Sequence, residues 1–405
     1  APNTLSVITR TGKVSRAFAN IVSDVPAQSC VVVEWMGTRL GSLNSTKALI
    51  PASSMKFLTA AVALEILKPD FTYTTKVHGT LDVNGLASDL CFVGGGDPLL
   101  VRNEYVASEK YPTTSGTSLE KLADSLVAAG LKRVAGSVVG VDSRYDDMRF
   151  VDVWPQDFHF TEAGPLGALV VDDGVVLGLP TKPDDPAIAA ATELQNLLNA
   201  RGVFFGALPR RDALPSGVLE LASIQSAPIT SIIQEMMVNS DNNTAELLLK
   251  EIGFASSATG STAAGLTAVK AQLVKWKLDK DVQLFDGSGL ASEARIPCDV
   301  FMSLLNTFSA TMPGLMAIAA ETGTIRDTFD GTVVAGKLRG KTGTLNGVKA
   351  LVGYLPVANS GPVTFSLLMN KAGIDNQGSY RPIWYSLAEV LNKASATPSV
   401  EQLTP

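Results

Sequence analysis

The segment Pro51-Ala-Ser-Ser-Met-Lys-Phe-Leu-Thr-Ala-Ala-Val-Ala-Leu-Glu-Ile-Leu67 constrains the fold more than any other stretch. From Phe57 to Leu67 almost every side chain is apolar, so the segment has no solvated face and reads as a helix inside a core. Pro51 suits the start of such a helix, where its missing N–H removes no hydrogen bond. Lys56 is then the anomaly, because an ammonium group is costly to bury while charged. Ser53 and Lys56 are three residues apart and share a helix face, within reach of one another. The helix N-terminus adds free backbone N–H groups and a positive dipole end beside the serine. This combination can make a nucleophile, its base and part of an oxyanion hole. The remaining chain must supply what the serine lacks.

A chain of 405 residues exceeds one ordinary core, so two domains or more are expected. The net charge is −6 and no basic run exists to meet phosphates, which argues against nucleic acid as a partner. The apolar helix carries Lys56 and Glu65 and is bounded by Pro51 and Pro69, so no integral membrane segment is expected. An opening Ala1-Pro2 without Met is what a removed signal peptide leaves, and what any trimming leaves, so export is one expectation. Cys30, Cys91 and Cys298 allow one disulfide in three pairings, and the sequence does not choose among them.

Taken in order, residues 13–23 read as a short amphipathic helix, and Cys30–Trp35 and Leu40–Leu43 as two strands joined by a turn at Met36-Gly37-Thr38. From about residue 74 the character changes to short strands and Gly-rich turns, interrupted by helices at 118–129 and 187–200. Residues 74–223 are therefore expected to form one inserted, β-rich domain, with 1–73 and 224–405 forming the other domain. Helical character returns at Ser231. Strands follow at 341–345, 348–355 and 363–370, with Asn346-Gly347 as a strong hairpin signal, and a helix at 381–393 closes the chain. The expectation is an α+β fold: a five-stranded antiparallel sheet covered by the terminal helices, plus an α-rich half.

Two further motifs can complete the site: Ser240-Asp241-Asn242 and Lys341-Thr342-Gly343-Thr344. Each is short. An S-x-x-K arises by chance roughly once or twice in a chain this long, and Ser118-Leu-Glu-Lys121 is a second copy, on what reads as a surface helix. Ser42-Leu-Asn44 is a spurious S-x-N. Context separates them: the first motif opens a buried helix, the second sits between helices, and the third lies on a strand before a hairpin. Other chemistries fail on the residues. Ala335-Gly-Lys-Leu-Arg-Gly-Lys-Thr342 fits a relaxed P-loop, but a strand and turn follow it instead of the helix a phosphate needs. Only His78 and His159 exist, no G-x-S-x-G elbow is present, and no H-E-x-x-H appears, so neither a histidine-based triad nor a metal or other cofactor is expected.

S-x-x-K, S-D-N and K-T-G in this order are the pattern of β-lactamases and penicillin-binding proteins. Over nearly its whole length the chain resembles the class C, type-4 penicillin-binding proteins, the serine D-alanyl-D-alanine carboxypeptidases and endopeptidases. Val93-Gly-Gly-Gly-Asp-Pro98, Asn239-Ser-Asp-Asn-Asn-Thr-Ala-Glu246, Asp286-Gly-Ser-Gly-Leu290 and Gly340-Lys-Thr-Gly-Thr-Leu-Asn-Gly-Val348 carry that resemblance with the motifs. It implies a penicillin-recognising serine-hydrolase fold with an insertion between the first two motifs. It implies peptidoglycan stem peptides as substrates and β-lactams as covalent inhibitors. It also implies roles: Ser53 as nucleophile, Lys56 as base with a lowered pKa, Ser240 as proton relay beside Lys341, and Asn242 holding Lys56 and the substrate amide. Thr342 and Thr344 would bind the terminal carboxylate, and Gly343 would leave room for the peptide. Arg295 and Asp146 match positions near the pocket for the stem-peptide side chain, with Asp146 meeting a free amino group; both equally suit surface charges. Trp154 reads as core more than as an aromatic wall. Family members often carry a third domain, for which there is no room between Gly178 and Ala187. The rivals are a β-lactamase, against which stands the lack of an E-x-x-L-N segment between the first two motifs, and a non-catalytic cell-wall binding protein of the same fold.

Overall fold

The computed structural model describes residues 2–108, 115–176, 179, 181–358 and 360–396, and the side chains of these except 2–11 and 108. The chain divides into two compact units. The first comprises 1–61, 236–240 and 270–405; the second comprises 62–235 and 241–269. The segment 74–223, expected as an insertion, lies wholly within the second unit.

The first unit is built on an antiparallel sheet. Its strand order is Ala317–Ile318, Arg339–Leu345, Val348–Leu355, Val363–Asn370, Ser29–Trp35, Thr38–Leu43. Five strands were expected; the sixth, Ala317–Ile318, is two residues long and pairs only with Gly340 and Arg339, too short to leave a periodic signal. Beyond Gly340 the outer edge of strand Arg339–Leu345 has no strand partner among the described residues. The central strand Val348–Leu355 is buried at every position. The first hairpin turns at Met36 and Gly37, both at positive φ (49° and 74°), the two-residue turn whose twist suits paired strands.

The terminal helices cover one sheet face. Val14, Phe18 and Ile21 of helix Pro2–Asp24 and Trp384, Leu387 and Leu391 of helix Gln377–Ser395 pack with Val31, Val33, Leu351 and Leu367 into one apolar cluster. Both helices start earlier than their sequences suggest. Pro382 resembles a helix-opening proline, yet it lies inside the helix, whose first turn begins at Gln377. On strand Ser29–Trp35, Cys30 alternates away from Val31 and Val33, and it is bonded to Cys298, the first residue of helix Cys298–Thr307. Cys91 is the free, buried thiol. The pairing left open by the sequence is thus between residues 268 positions apart.

The second unit is more α/β than β-rich. Its five-stranded sheet runs Arg210–Arg211, Val138–Val141, Leu90–Val93, Thr74–Gly79, Leu219–Gln225, and the first two pairings are parallel. Parallel neighbours need a crossover. Helices Leu119–Ala128 and Pro186–Asn199 occupy these connections and bury Leu122, Leu126, Ala190 and Leu194 with Phe92 and Val138. Val138–Val141 is accordingly buried throughout, as parallel strands are. Trp154 is buried. Of the stretch where a third domain was expected to be absent, 177, 178 and 180 lie outside the described residues; Pro186 already opens the next helix.

The disulfide closes a long loop, so its loss releases considerable unfolded-chain entropy. Replacing Cys30 and Cys298 together by Ser should lower stability by about 2–5 kcal/mol, read as a fall in the urea midpoint; an unchanged midpoint would show that the bond adds nothing to the fold.

Candidate active site

The chain enters the site through strain. Ala52 has φ 47°, a region costly for a residue with a side chain, and it immediately precedes Ser53. Ala52–Ser54 form a single 3-10 turn, and the helix proper runs Met55–Ile66. This corrects the simple helix start expected at Pro51. Two glycines flank the turn. A Cβ on Gly343 would lie 3.1 Å from the Ser54 nitrogen and well inside contact distance of the Pro51 carbonyl oxygen. A Cβ on Gly289, itself at φ 84°, would collide with the Ala52 carbonyl and lie 2.9 Å from Met55 Cβ. Gly343 therefore makes room for the backbone of the serine turn, a different reason from the substrate clearance expected.

Ser53 is partly exposed and Lys56 is fully buried. Lys56 Nζ lies 2.9 Å from Ser53 Oγ and donates to the Ser288 carbonyl at 2.9 Å. That carbonyl belongs to Asp286-Gly-Ser-Gly-Leu290. The buried Asp286 carboxylate shapes this loop, accepting from the backbone N–H of Gly289 (3.0 Å) and Ala291 (2.8 Å) and from the Ser288 hydroxyl (3.2 Å). Thr59, one turn after Lys56, donates to the Gly287 carbonyl at 2.7 Å. One loop is thus tied to the helix at two points.

A second serine–lysine pair lies in the same unit. Lys341 Nζ donates to Ser240 Oγ at 2.8 Å and to the Thr342 carbonyl at 2.9 Å. Ser240 is also strained, with φ 63°. Lys341 is fully buried, and burial together with the positive charges of Lys56 and Lys349 pushes its ammonium group well below the usual lysine range. The Thr342 hydroxyl donates to the Thr324 hydroxyl at 2.8 Å. Thr344 is exposed, and its hydroxyl accepts from Lys349 Nζ at 2.8 Å.

The other expected residues have these partners within their own units. Asn242 belongs to the second unit, where its amide donates to the Glu162 carbonyl at 2.7 Å. Asp146, also there, is paired with the buried Lys250 at 2.5 Å, so its charge already has a partner. The Arg295 guanidinium folds back onto the Ser292 and Ala294 carbonyls (2.7 and 2.8 Å) and braces its own loop. The second S-x-x-K is a helix cap: Ser118 Oγ accepts from the Lys121 backbone N–H, and the Lys121 side chain plays no part in that bond. Sequence reading missed Thr324, the Ser288 carbonyl and Lys349. A backbone acceptor leaves no signature, but a lysine in the otherwise apolar strand Val348–Leu355 does. Among the described residues no His, Cys, Asp or Glu cluster could hold a metal ion, and no helix is long and apolar enough to cross a membrane.

A buried-helix serine beside one lysine, facing a strand that carries a second, on an antiparallel sheet covered by terminal helices, defines a serine hydrolase of the penicillin-recognising class. The model of the D-Ala-D-Ala carboxypeptidase 3 (S13) family matches residues 15–184 and 177–383, and the chain belongs to that family. A D-alanyl-D-alanine carboxypeptidase of Actinomadura sp. (strain R39) is 28% identical over 426 residues, 82% of this chain and 76% of its own. Carboxypeptidase DacB of Mycolicibacterium smegmatis is 30% identical over 360 residues, 83% and 75% of the two chains. Among solved structures, penicillin binding protein 4 of Haemophilus influenzae superposes with a TM-score of 0.76 at 20% identity, covering 93% of this chain and 98% of its own. A predatory peptidoglycan endopeptidase of Bdellovibrio bacteriovorus gives 0.59 at 18%, covering 92% and 94%. The protein is a class C, type-4 penicillin-binding protein and a serine-type D-Ala-D-Ala carboxypeptidase/endopeptidase.

Gly343→Ala tests the packing of the serine turn. The added methyl must displace the Pro51 carbonyl, so β-lactam acylation should slow at least about tenfold while the far-ultraviolet circular dichroism stays unchanged. Acylation at the original rate would show that the turn tolerates the displacement.

Proposed function

We propose that Ser53 is the nucleophile, that Lys56 is its base, and that peptides ending in D-Ala-D-Ala are the substrates. The observation that carries this reading is the pair of serine–lysine contacts, 2.9 Å for Ser53 and Lys56 and 2.8 Å for Ser240 and Lys341. Both fall in the range required for proton transfer. Ser53 Oγ attacks the carbonyl carbon of the penultimate D-alanine as its proton passes to neutral Lys56. The tetrahedral oxyanion is assigned to the backbone N–H groups of Ser53 and Thr344, each such donor being worth on the order of 10²–10³ in rate. The C–N bond then breaks, and the leaving amine takes a proton through Ser240, which Lys341 holds. Water hydrolyses the acyl-enzyme by the reverse relay.

Burial first, and then repulsion from Lys56 and Lys349, depresses the affinity of Lys341 for its proton. Protons lost from such a pair belong to the pair. A site short of one proton is what the attack step needs. The unpaired edge of strand Arg339–Leu345 from Lys341 onward supports binding of the peptide as an added strand. Thr342, Thr344 and Lys341 are assigned to its terminal carboxylate. The roles expected of Asn242, Arg295 and Asp146 rest on their motifs alone. The Cys30–Cys298 bond supports an exported, oxidising location, consistent with a cell-wall substrate.

Intact-mass measurement after incubation with a β-lactam tests the assignment. A stable adduct on Ser53, lost in Ser53→Ala and formed at least about 10²-fold more slowly in folded Lys56→Ala, is the expected result. Rapid turnover without an adduct would mark a β-lactamase, and no reaction would mark a binding protein. Undiminished labelling of Lys56→Ala would remove Lys56 as the base.

A further inference from the structure

Strand Val348–Leu355 turns Leu351 and Leu355 into the apolar cluster beneath the terminal helices, and Lys349 occupies the same row of positions. The side chain is 8% exposed. A leucine there would simply extend the core, so a lysine needs a reason. Its ammonium group lies 4.0 Å from the centre of the Tyr380 ring and 5.1 Å from that of Trp384, both on the C-terminal helix. In the ladder Lys349 stands directly opposite Thr344 across the hairpin, so the two share a face. Asp375, whose carboxylate accepts from the Gly347 N–H at 2.9 Å, fixes the hairpin tip next to them.

An ammonium group has donors and no acceptor. The 2.8 Å contact between Lys349 and Thr344 therefore engages the lone pairs of the threonine oxygen. The hydroxyl hydrogen must point elsewhere. Thr344 is exposed, on the strand edge that lacks a partner. Resting on the reading that this edge binds the substrate's terminal carboxylate, we propose that Lys349 is a positioning residue: it holds Thr344 so that the hydroxyl donates to that carboxylate, and it places a second cation behind it. The charged groups that act on Lys349 are Asp375, which favours its proton, and Arg381, which opposes it. Burial is the largest influence, and it brings the ammonium group down to about 8. The cation is present below that pH and is lost as pH rises through it.

The test compares one stem peptide ending in free D-Ala-D-Ala with the same peptide as its C-terminal amide. In Lys349→Met, KM for the free acid should rise about tenfold with kcat within about threefold, and the amide should be little affected. Lys349→Arg, which keeps a donor, should recover part of the loss. In a Thr344→Val background the further change Lys349→Met should have little effect. Equal losses on acid and amide, or additive losses in the double variant, would assign Lys349 to packing alone and overturn the proposal. Should Lys349→Met not fold, the unmodified protein still decides: its preference for acid over amide should decline as pH rises through about 8, and a flat profile overturns the proposal. Absence of a Ser53 adduct in the unmodified protein would instead overturn the underlying reading, and this proposal with it.

Discussion

The site in the first unit answers to two lysine side chains taken out of water. Lys56 and Lys341 are both fully buried and electrostatically coupled. Such groups persist only where hydrogen bonds or proton loss offset the lost hydration. Here each has a serine hydroxyl and a backbone carbonyl: Ser53 and Ser288 for one, Ser240 and Thr342 for the other. The loop at Asp286–Leu290 is the clearest consequence. Its buried carboxylate folds the backbone so that one carbonyl meets Lys56, while Gly289 lets the same loop lie against Ala52. Positive φ at Ala52 and Ser240 is the local strain that this arrangement leaves beside both serines.

Much of this was legible from residues alone, for a physical reason. A lysine in an unbroken apolar run contradicts the core it sits in, and such contradictions mark function. The same test separates the two S-x-x-K copies, since Ser118 caps an ordinary amphipathic helix and its lysine meets no conflict. Strands with mostly apolar runs, Val348–Leu355 and Val363–Asn370, have the bounds their sequences predict. What escaped lacked a local signal. The two-residue strand Ala317–Ile318 exists only because a neighbour pairs with it. The parallel pairings of the second unit depend on which strands meet, and short buried strands read alike in either direction. The last helix begins four residues before the expected 381, and Pro382 lies inside it.

The individual charges show where motif reading stops. Asp146 is a carboxylate with Lys250 already against it, and Arg295 spends its donors on two carbonyls of its own loop. Neither arrangement can be inferred from spacing, because each partner is distant in the chain or is backbone. Lys349 is the opposite case. Its oddity is present in the sequence, one lysine among apolar neighbours, but it lies outside the three motifs.

Lys349 changes the electrostatic picture of the site. The chain as a whole carries −6, yet three lysines, Lys56, Lys341 and Lys349, are buried in this one unit, and two of them depress the proton affinity of Lys341. A positive region within low-dielectric surroundings focuses its field far more than surface lysines do. On the proposed mechanism, such a field would attract a carboxylate and disfavour a protonated base. The two needs of that proposed mechanism, an anion held at one end of the peptide and a neutral amine at the scissile bond, would then share one cluster of like charges. The overall negative charge competes little, because salt screens exposed charges over about a Debye length and screens buried ones much less.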